Sequence, residues 1–173
     1  MPQQIEIEHS TRLLVGMADL AVSRESGVLL TTMPLGSCLG VGIYDPTVRV
    51  GGILHSLLPA SSLDPRRADS HPGMFLDTGL QILFARARQL NATLENIRVI
   101  VAGAAEMMDE SPEYNVGRSN CRSLGQLLSQ LGVEIYAQYV GGKTDCSMEL
   151  AVATGEVRLK FCGEDEAKVL CRP

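Results

Sequence analysis

The apolar positions of this chain change their spacing along its length. Through the first third they run almost unbroken. The stretches "RLLVGMADLAVS" (12–23), "GVLLTT" (27–32), "LGVGIYD" (39–45) and "RVGGILHSLL" (49–58) are rich in Val, Ile and Leu and read as strands. Turn-forming clusters separate them: Glu25-Ser26-Gly27, Pro34-Leu35-Gly36 and Asp45-Pro46-Thr47. The last cluster predicts a hairpin joining 39–45 to 49–58. A polar stretch over 59–73 reads as a loop. From about 74 to 90 the apolar spacing becomes three and four. Leu76, Leu80, Leu83, Ala87 and Leu90 fall on one face, with Arg86, Arg88 and Gln89 between them, which predicts a helix. "IRVIVAG" (97–103) is a fully apolar strand. A second helix is predicted over 118–131, with Cys121, Leu124, Leu127, Leu128 and Leu131 on one face and Gly132 as its stop. "VEIYAQYV" (133–140), "MELAVAT" (148–154) and "EVRLKF" (156–161) read as closing strands, with a hairpin turn at Thr154-Gly155.

Two helices with seven or eight strands predict a layered α/β (α+β) fold. Its sheets should be mixed and largely antiparallel, because most connections are hairpin-like. No repeat or interdomain linker interrupts the pattern. The expected organisation is an N-terminal extension at 1–11, a single domain over 12–161 and a polar, frayed tail at 162–173.

Composition narrows the function classes. The chain has 173 residues, 45% of them hydrophobic, and a mean hydropathy of +0.10, which is a globular profile. Its net charge is −5 and its pI about 5.2. Nucleic-acid binding needs clustered Lys and Arg, and the only adjacent basic pair is Arg66-Arg67. The start "MPQQIEIEHSTR" has neither a basic nor an apolar leader segment, and no apolar run approaches the ~20 residues that span a bilayer. A cytoplasmic protein, not membrane-embedded, is the expectation.

Five cysteines (Cys38, Cys121, Cys146, Cys162 and Cys171) form no C-x-x-C pair, and their odd number argues against a disulfide framework. Cys121 and Cys146 read as small buried hydrophobes. "GGKT" (141–144) resembles the end of a phosphate loop, but Ala137 stands where the pattern needs glycine, and a strand follows where a helix is required. Gly36-Ser37-Cys38-Leu39-Gly40 has the form of a nucleophile elbow, yet the downstream histidines lie too near in sequence for the α/β-hydrolase order. A metal site would have to gather Cys38, His55, His71 and Asp69, which lack paired ligand spacing. His71 and His9 read as solvated surface residues.

Cys38 and His55 remain. The predicted hairpin places both on neighbouring strands, where spacing alone also fits two core residues. A cysteine nucleophile needs a group that takes its proton and returns one to the leaving group, and histidine does both near neutral pH. The small-residue turn before Cys38 leaves backbone N–H groups free to hold an oxyanion, with Gly36 and Ser37 as candidate donors. Thr32, at the end of the preceding strand, is placed to accept a hydrogen bond from the imidazole. An activated, low-pKa thiol at Cys38 would react with iodoacetamide faster than the other four.

The block "TTMPLGSCLGVGIYDPTVRVGGILHSLLP" (31–59) resembles the signature of the chemoreceptor glutamine deamidase (CheD) family. "VGMADLAVS" (15–23), "FLDTGLQILF" (75–84), "NVGRSN" (115–120) and "VGG" (140–142) extend the likeness over about 12–161. The resemblance implies a fold like that of the deamidating bacterial toxins, with Cys38 as nucleophile, His55 as general acid and base and Thr32 as the residue that orients the histidine. It implies conversion of chemoreceptor glutamines to glutamates through a Cys thioester. No metal or organic cofactor is implied, and the partners would be chemoreceptor cytoplasmic helices and a CheC-like phosphatase. A catalytically idle module that only binds such partners is the alternative, and transfer to an amine in place of water is a third reading. Met33-Pro34 stands where the family has leucine and glycine, "AGAAEMM" (102–108) replaces Gly-Gly-Ala-x-Met, and "KTDCSMEL" lacks a Gly-Arg pair. These departures leave Cys38 and His55 untouched and bear on substrate choice and regulator binding.

Overall fold

Strands that are apolar on both faces are stable only where both faces are covered. The computed structural model of the chain describes residues 11–106 and 115–173 and shows how that cover is supplied. The expected extension through residue 10, with His9, lies outside the described residues, as do Met107 and Met108.

The ten described strands are β1 (Thr11–Val15), β2 (Asp19–Ser23), β3 (Val28–Thr32), β4 (Leu39–Asp45), β5 (Val50–Ser56), β6 (Arg98–Gly103), β7 (Ile135–Val140), β8 (Cys146–Ala151), β9 (Val157–Phe161) and β10 (Lys168–Cys171). The helices are α1 (Pro65–Ser70), α2 (Leu76–Gln89) and α3 (Val116–Gln130). One five-stranded sheet has the order β1-β3-β8-β9-β10 and the other β2-β5-β4-β6-β7. The β1/β3 and β6/β7 pairs are parallel and all others antiparallel. The layered, mixed, largely antiparallel α/β expectation therefore holds.

The sheets pack face to face over Leu30, Leu35, Ile53, Ile100, Met148 and Leu150. The outer face of the second sheet is covered by α2 and α3 through Leu54, Leu80, Leu83, Leu124 and Leu128. Every residue of β4 and β5 is consequently buried. Their hairpin is closed by the buried Asp45, whose carboxylate accepts from the N–H groups of Thr47 (2.9 Å) and Thr93 (3.0 Å).

Three local features differ from the sequence pattern. The stretch 12–23 is two strands in different sheets, because the chain turns at Ala18, which adopts a φ of 60°. The polar stretch 59–73 contains α1, begun by Pro65 and capped by the Asp64 side chain, which accepts from the Arg67 N–H at 3.1 Å. The segment beyond Phe161, expected to be frayed, returns as β10 along the edge of β9. The predicted helix faces hold for α2 and for Leu124 and Leu128 of α3, whereas Leu131 lies past the helix end and is exposed.

Candidate active site

Cys38 ends the Gly36-Ser37-Cys38 loop immediately before β4. The loop is held almost entirely by its carbonyl groups. Leu35 exchanges backbone hydrogen bonds with Cys146 of β8, the Gly36 carbonyl accepts from the Ala105 N–H (2.9 Å), and the Cys38 carbonyl accepts from the Ala104 N–H (2.8 Å). The Ser37 carbonyl accepts from the Asn120 side chain at 3.3 Å. The N–H groups of Gly36 and Ser37 donate to no group among the described residues, and that of Cys38 turns only toward its own sulfur. A loop whose carbonyls face the scaffold and whose N–H groups do not can bind an anionic oxygen.

His55 lies in β5 between β2 and β4, directly opposite Asp19 and Gly40. Directly opposed residues of an antiparallel pair share a face. A Cβ at Gly40 would meet Leu35, so this is the face turned toward the other sheet. Cys38 precedes Gly40 by two residues and packs on that same intersheet cluster. The hairpin thus delivers both residues to one side, as expected. His55 is fully buried, and among the described residues neither ring nitrogen has a partner within hydrogen-bond geometry. Burial pushes its pKa below the ordinary histidine value, and the Val15 carbonyl opposes that shift.

Thr32 approaches from the other sheet, where it pairs with Val15 across β1 and β3. The residue whose carbonyl acts on the His55 ring is therefore the strand partner of Thr32. The Thr32 hydroxyl oxygen accepts from the Met148 N–H at 3.0 Å, and no hydrogen bond joins it to His55.

Burial also pushes the Cys38 thiol up, with its own backbone N–H pulling the other way. Burial at this position therefore works against the low-pKa thiol expected for Cys38, as it works against the charged form of His55. Cys121, Cys146 and Cys171 are likewise raised by burial, Cys146 to about 11. Among the described residues no cluster of three or more His, Cys, Asp and Glu side chains could hold a metal ion. No described helix is long and apolar enough to cross a membrane.

The scaffold of the loop escaped the sequence reading. Gly103 adopts a φ of 108° and presses so closely on the loop that a Cβ there would stand 2.3 Å from the Cys38 carbonyl oxygen. Asn120 is fully buried on the packed face of α3. A polar residue one turn before Leu124, on the stripe that also holds Leu128, was the one visible signal.

A family model described as CheD chemotactic sensory transduction matches residues 57–161, from the end of β5 through β9. This chain belongs to the CheD family. A protein of Syntrophus aciditrophicus named "Probable chemoreceptor glutamine deamidase CheD 1" is 38% identical over 151 residues, covering 87% of this chain and 94% of that protein. A Solibacter usitatus protein named "Probable chemoreceptor glutamine deamidase CheD" is 34% identical over 158 residues, 91% of this chain and 94% of its own length. A Pyrococcus horikoshii protein of the same name is 35% identical over 148 residues, 84% of this chain and 90% of its own length. Ala104 and Ala105, which support the Cys38 loop, follow β6 directly, and Ala104 occupies a left-handed backbone position with a φ of 51°.

Proposed function

We propose that this CheD chain hydrolyses the side-chain carboxamide of glutamines on chemoreceptors in the cytoplasm, with Cys38 as nucleophile and His55 as the proton-transfer group. The observation that carries the reading is the imidazole itself. A fully buried histidine whose two ring nitrogens have no partner within hydrogen-bond geometry among the described residues, with only the Val15 carbonyl acting on the ring, and which shares the intersheet face with a cysteine, supports proton chemistry with a substrate.

Burial favours an uncharged resting pair, which sets the order of events. As the Cys38 sulfur adds to the glutamine Cδ, His55 takes the thiol proton, and the carbonyl oxygen becomes negative. The N–H groups of Gly36, Ser37 and Cys38, with the Ser37 hydroxyl, are the donors for that oxygen. The imidazolium then gives its proton to the departing nitrogen, the C–N bond breaks, and ammonia leaves a thioester on Cys38. A water molecule adds to the thioester while His55 takes its proton. The C–S bond breaks, the sulfur regains the proton, and glutamate is released. Carboxamide and water have become carboxylic acid and ammonia. Thr32 orients the imidazole in this scheme: Met148 occupies one lone pair of its hydroxyl, and the other can accept from a ring N–H.

The test is ammonia release from receptor cytoplasmic fragments, with mass spectrometry of each glutamine, by the wild type and by Cys38→Ala. A gain of about one mass unit at defined glutamines, absent with Cys38→Ala, is expected, since amide becomes acid at the same site. Equal release by both proteins ends the proposal. No release by the wild type, with receptor binding intact in Cys38→Ala, assigns the chain to the binding-module reading instead.

A further inference from the structure

Three buried side-chain polar atoms have no hydrogen-bond partner among the described residues: both ring nitrogens of His55 and the Oδ1 of Asn120. The first two belong to the site described above. The third lies on α3, yet that side chain also ends at the site. Its Nδ2 donates to the carbonyl of Ser37 at 3.3 Å and to the carbonyl of Leu57 at 3.0 Å. Ser37 precedes the nucleophile, and Leu57 follows His55 by two residues. One amide group ties the loop that carries the sulfur to the strand end that carries the imidazole, across sequence separations of 83 and 63 residues. The two accepting carbonyls also fix which end of the amide is nitrogen. Its helix neighbours Cys121 and Leu124 pack into an apolar cluster. On such a face a buried acceptor with no partner demands a reason.

The reason lies in the Ser37–Cys38 peptide. The described chain has no cis peptide bond, so this unit is trans and its C=O and N–H point in opposite directions. Asn120 draws the carbonyl toward α3. The Cys38 N–H must then point away from α3, toward its own sulfur, whose pKa it lowers. We propose that Asn120 is a positioning residue that aims the Cys38 N–H at the oxygen which turns negative when the sulfur adds to a carbonyl. It acts through the peptide and not by touching substrate. Without that grip the peptide can rotate and present its carbonyl oxygen, an acceptor, where a donor is required. The inference rests on the reading of Cys38 as a nucleophile.

The test compares two small reagents on the whole protein, with rates resolved at Cys38 by mass spectrometry. With p-nitrophenyl acetate the sulfur adds to the ester carbonyl, a thioester forms, p-nitrophenolate leaves and the thiol proton passes to His55; an oxyanion lies on the path. With iodoacetamide the sulfur displaces iodide and no oxyanion forms. Asn120→Ala removes the donors, and Asn120→Asp removes them while keeping the side-chain size. Leu128→Ala, a buried position on the same helix with no bond to the loop, is the control for general destabilisation. Loss of one oxyanion donor predicts a fall in acylation of ~10²-fold in the Asn120 variants, with alkylation changed only a few-fold. Glutamine turnover should fall through kcat with KM kept. Leu128→Ala should keep the wild-type ratio of the two rates. An unchanged ratio in the folded Asn120 variants, or an equal change in Leu128→Ala, overturns the proposal. Normal acylation by a wild type that deamidates no receptor glutamine overturns the deamidase reading alone, and the ratio still decides the role of Asn120.

Discussion

Replacing Gly103 by alanine should damage the loop that carries Cys38. The added Cβ would stand 2.3 Å from the Cys38 carbonyl oxygen and 3.2 Å from the Leu35 Cβ, and the backbone there has a φ of 108°. Holding an L residue in that region costs about 1–3 kcal/mol. Relieving the overlap requires a shift of about 1 Å at the Cys38 carbonyl, judged against ordinary contact distances. That shift weakens the 2.8 Å bond from the Ala104 N–H, a further loss of about 1 kcal/mol. The total is a destabilisation of about 2–4 kcal/mol. The site suffers separately, because a misplacement of ~1 Å in a catalytic group costs on the order of 10²-fold in rate. Urea unfolding measures the first effect, and turnover of receptor glutamines per folded molecule measures the second. A Gly103→Ala protein within about 0.5 kcal/mol of wild type that keeps its full rate would refute the close packing of this segment against the loop.

Other expectations follow from the same geometry. Gly155→Ala places a Cβ 2.3 Å from Cδ1 of Tyr44 at a φ of 75°, at the end of β4 remote from Cys38; thermal unfolding should show a loss of about 1–3 kcal/mol with kcat unchanged. Thr32→Val leaves the buried Met148 N–H without its acceptor, so urea unfolding should show a loss of about 1–3 kcal/mol, and the reading of Thr32 as orienter adds a fall in kcat that a merely structural role would not produce. For pH, the proposed role makes the neutral form of His55 the working base, and its folded pKa lies below 6.5, so kcat/KM should lose its acid limb only below that value; an acid limb centred above 6.5 would contradict the burial of the ring. The stability sign agrees: the unfolded histidine binds a proton more readily, so the His55 contribution is complete above 6.5 and is lost as pH falls through the lower folded value, a trend His55→Leu should abolish in pH-dependent unfolding. Peptide mapping after iodoacetamide at neutral pH should show no preference for Cys38 over the exposed Cys162, because the Cys38 thiol is raised; selective labelling of Cys38 would show that the resting pair is ionised.

Much of the fold was legible because its signal is periodic. The strands β3 to β6 and the helices α2 and α3 follow from apolar runs and three-four spacing, and the β4–β5 hairpin from Asp45-Pro46. What escaped has a local cause in each case. The break between β1 and β2 rests on Ala18 adopting a positive φ inside an apolar stretch with no turn-forming cluster. The strand β10 is only four residues long, follows the polar run Gly163-Glu164-Asp165-Glu166 and lies at the edge of its sheet, paired with β9 alone. At the site, Cys38 and His55 were readable because one hairpin joins them. Thr32 was readable as a position, but the bond its oxygen makes goes to Met148, which is 116 residues away. The support of the loop by Ala104, Ala105 and Asn120 is equally remote in sequence, and no local pattern announces it.

In the proposed mechanism these remote contacts prepare the site before any charge forms. Desolvation moves the thiol up and the imidazole down, which favours the uncharged form of each over a buried ion pair. In the proposed reaction charge then appears on the substrate oxygen and on His55. Donors that stabilise the first must already be fixed, since reorienting them at that moment would cost part of what they contribute. In this chain the fixing is done from the carbonyl side. Both sheets and α3 hold the oxygens of residues 35 to 38, and each trans peptide then turns the following N–H the opposite way. Folding and site assembly are therefore the same event at this loop. Substitutions that loosen its carbonyl contacts should reduce kcat together with stability, whereas those at the Tyr44–Gly155 end should reduce stability alone.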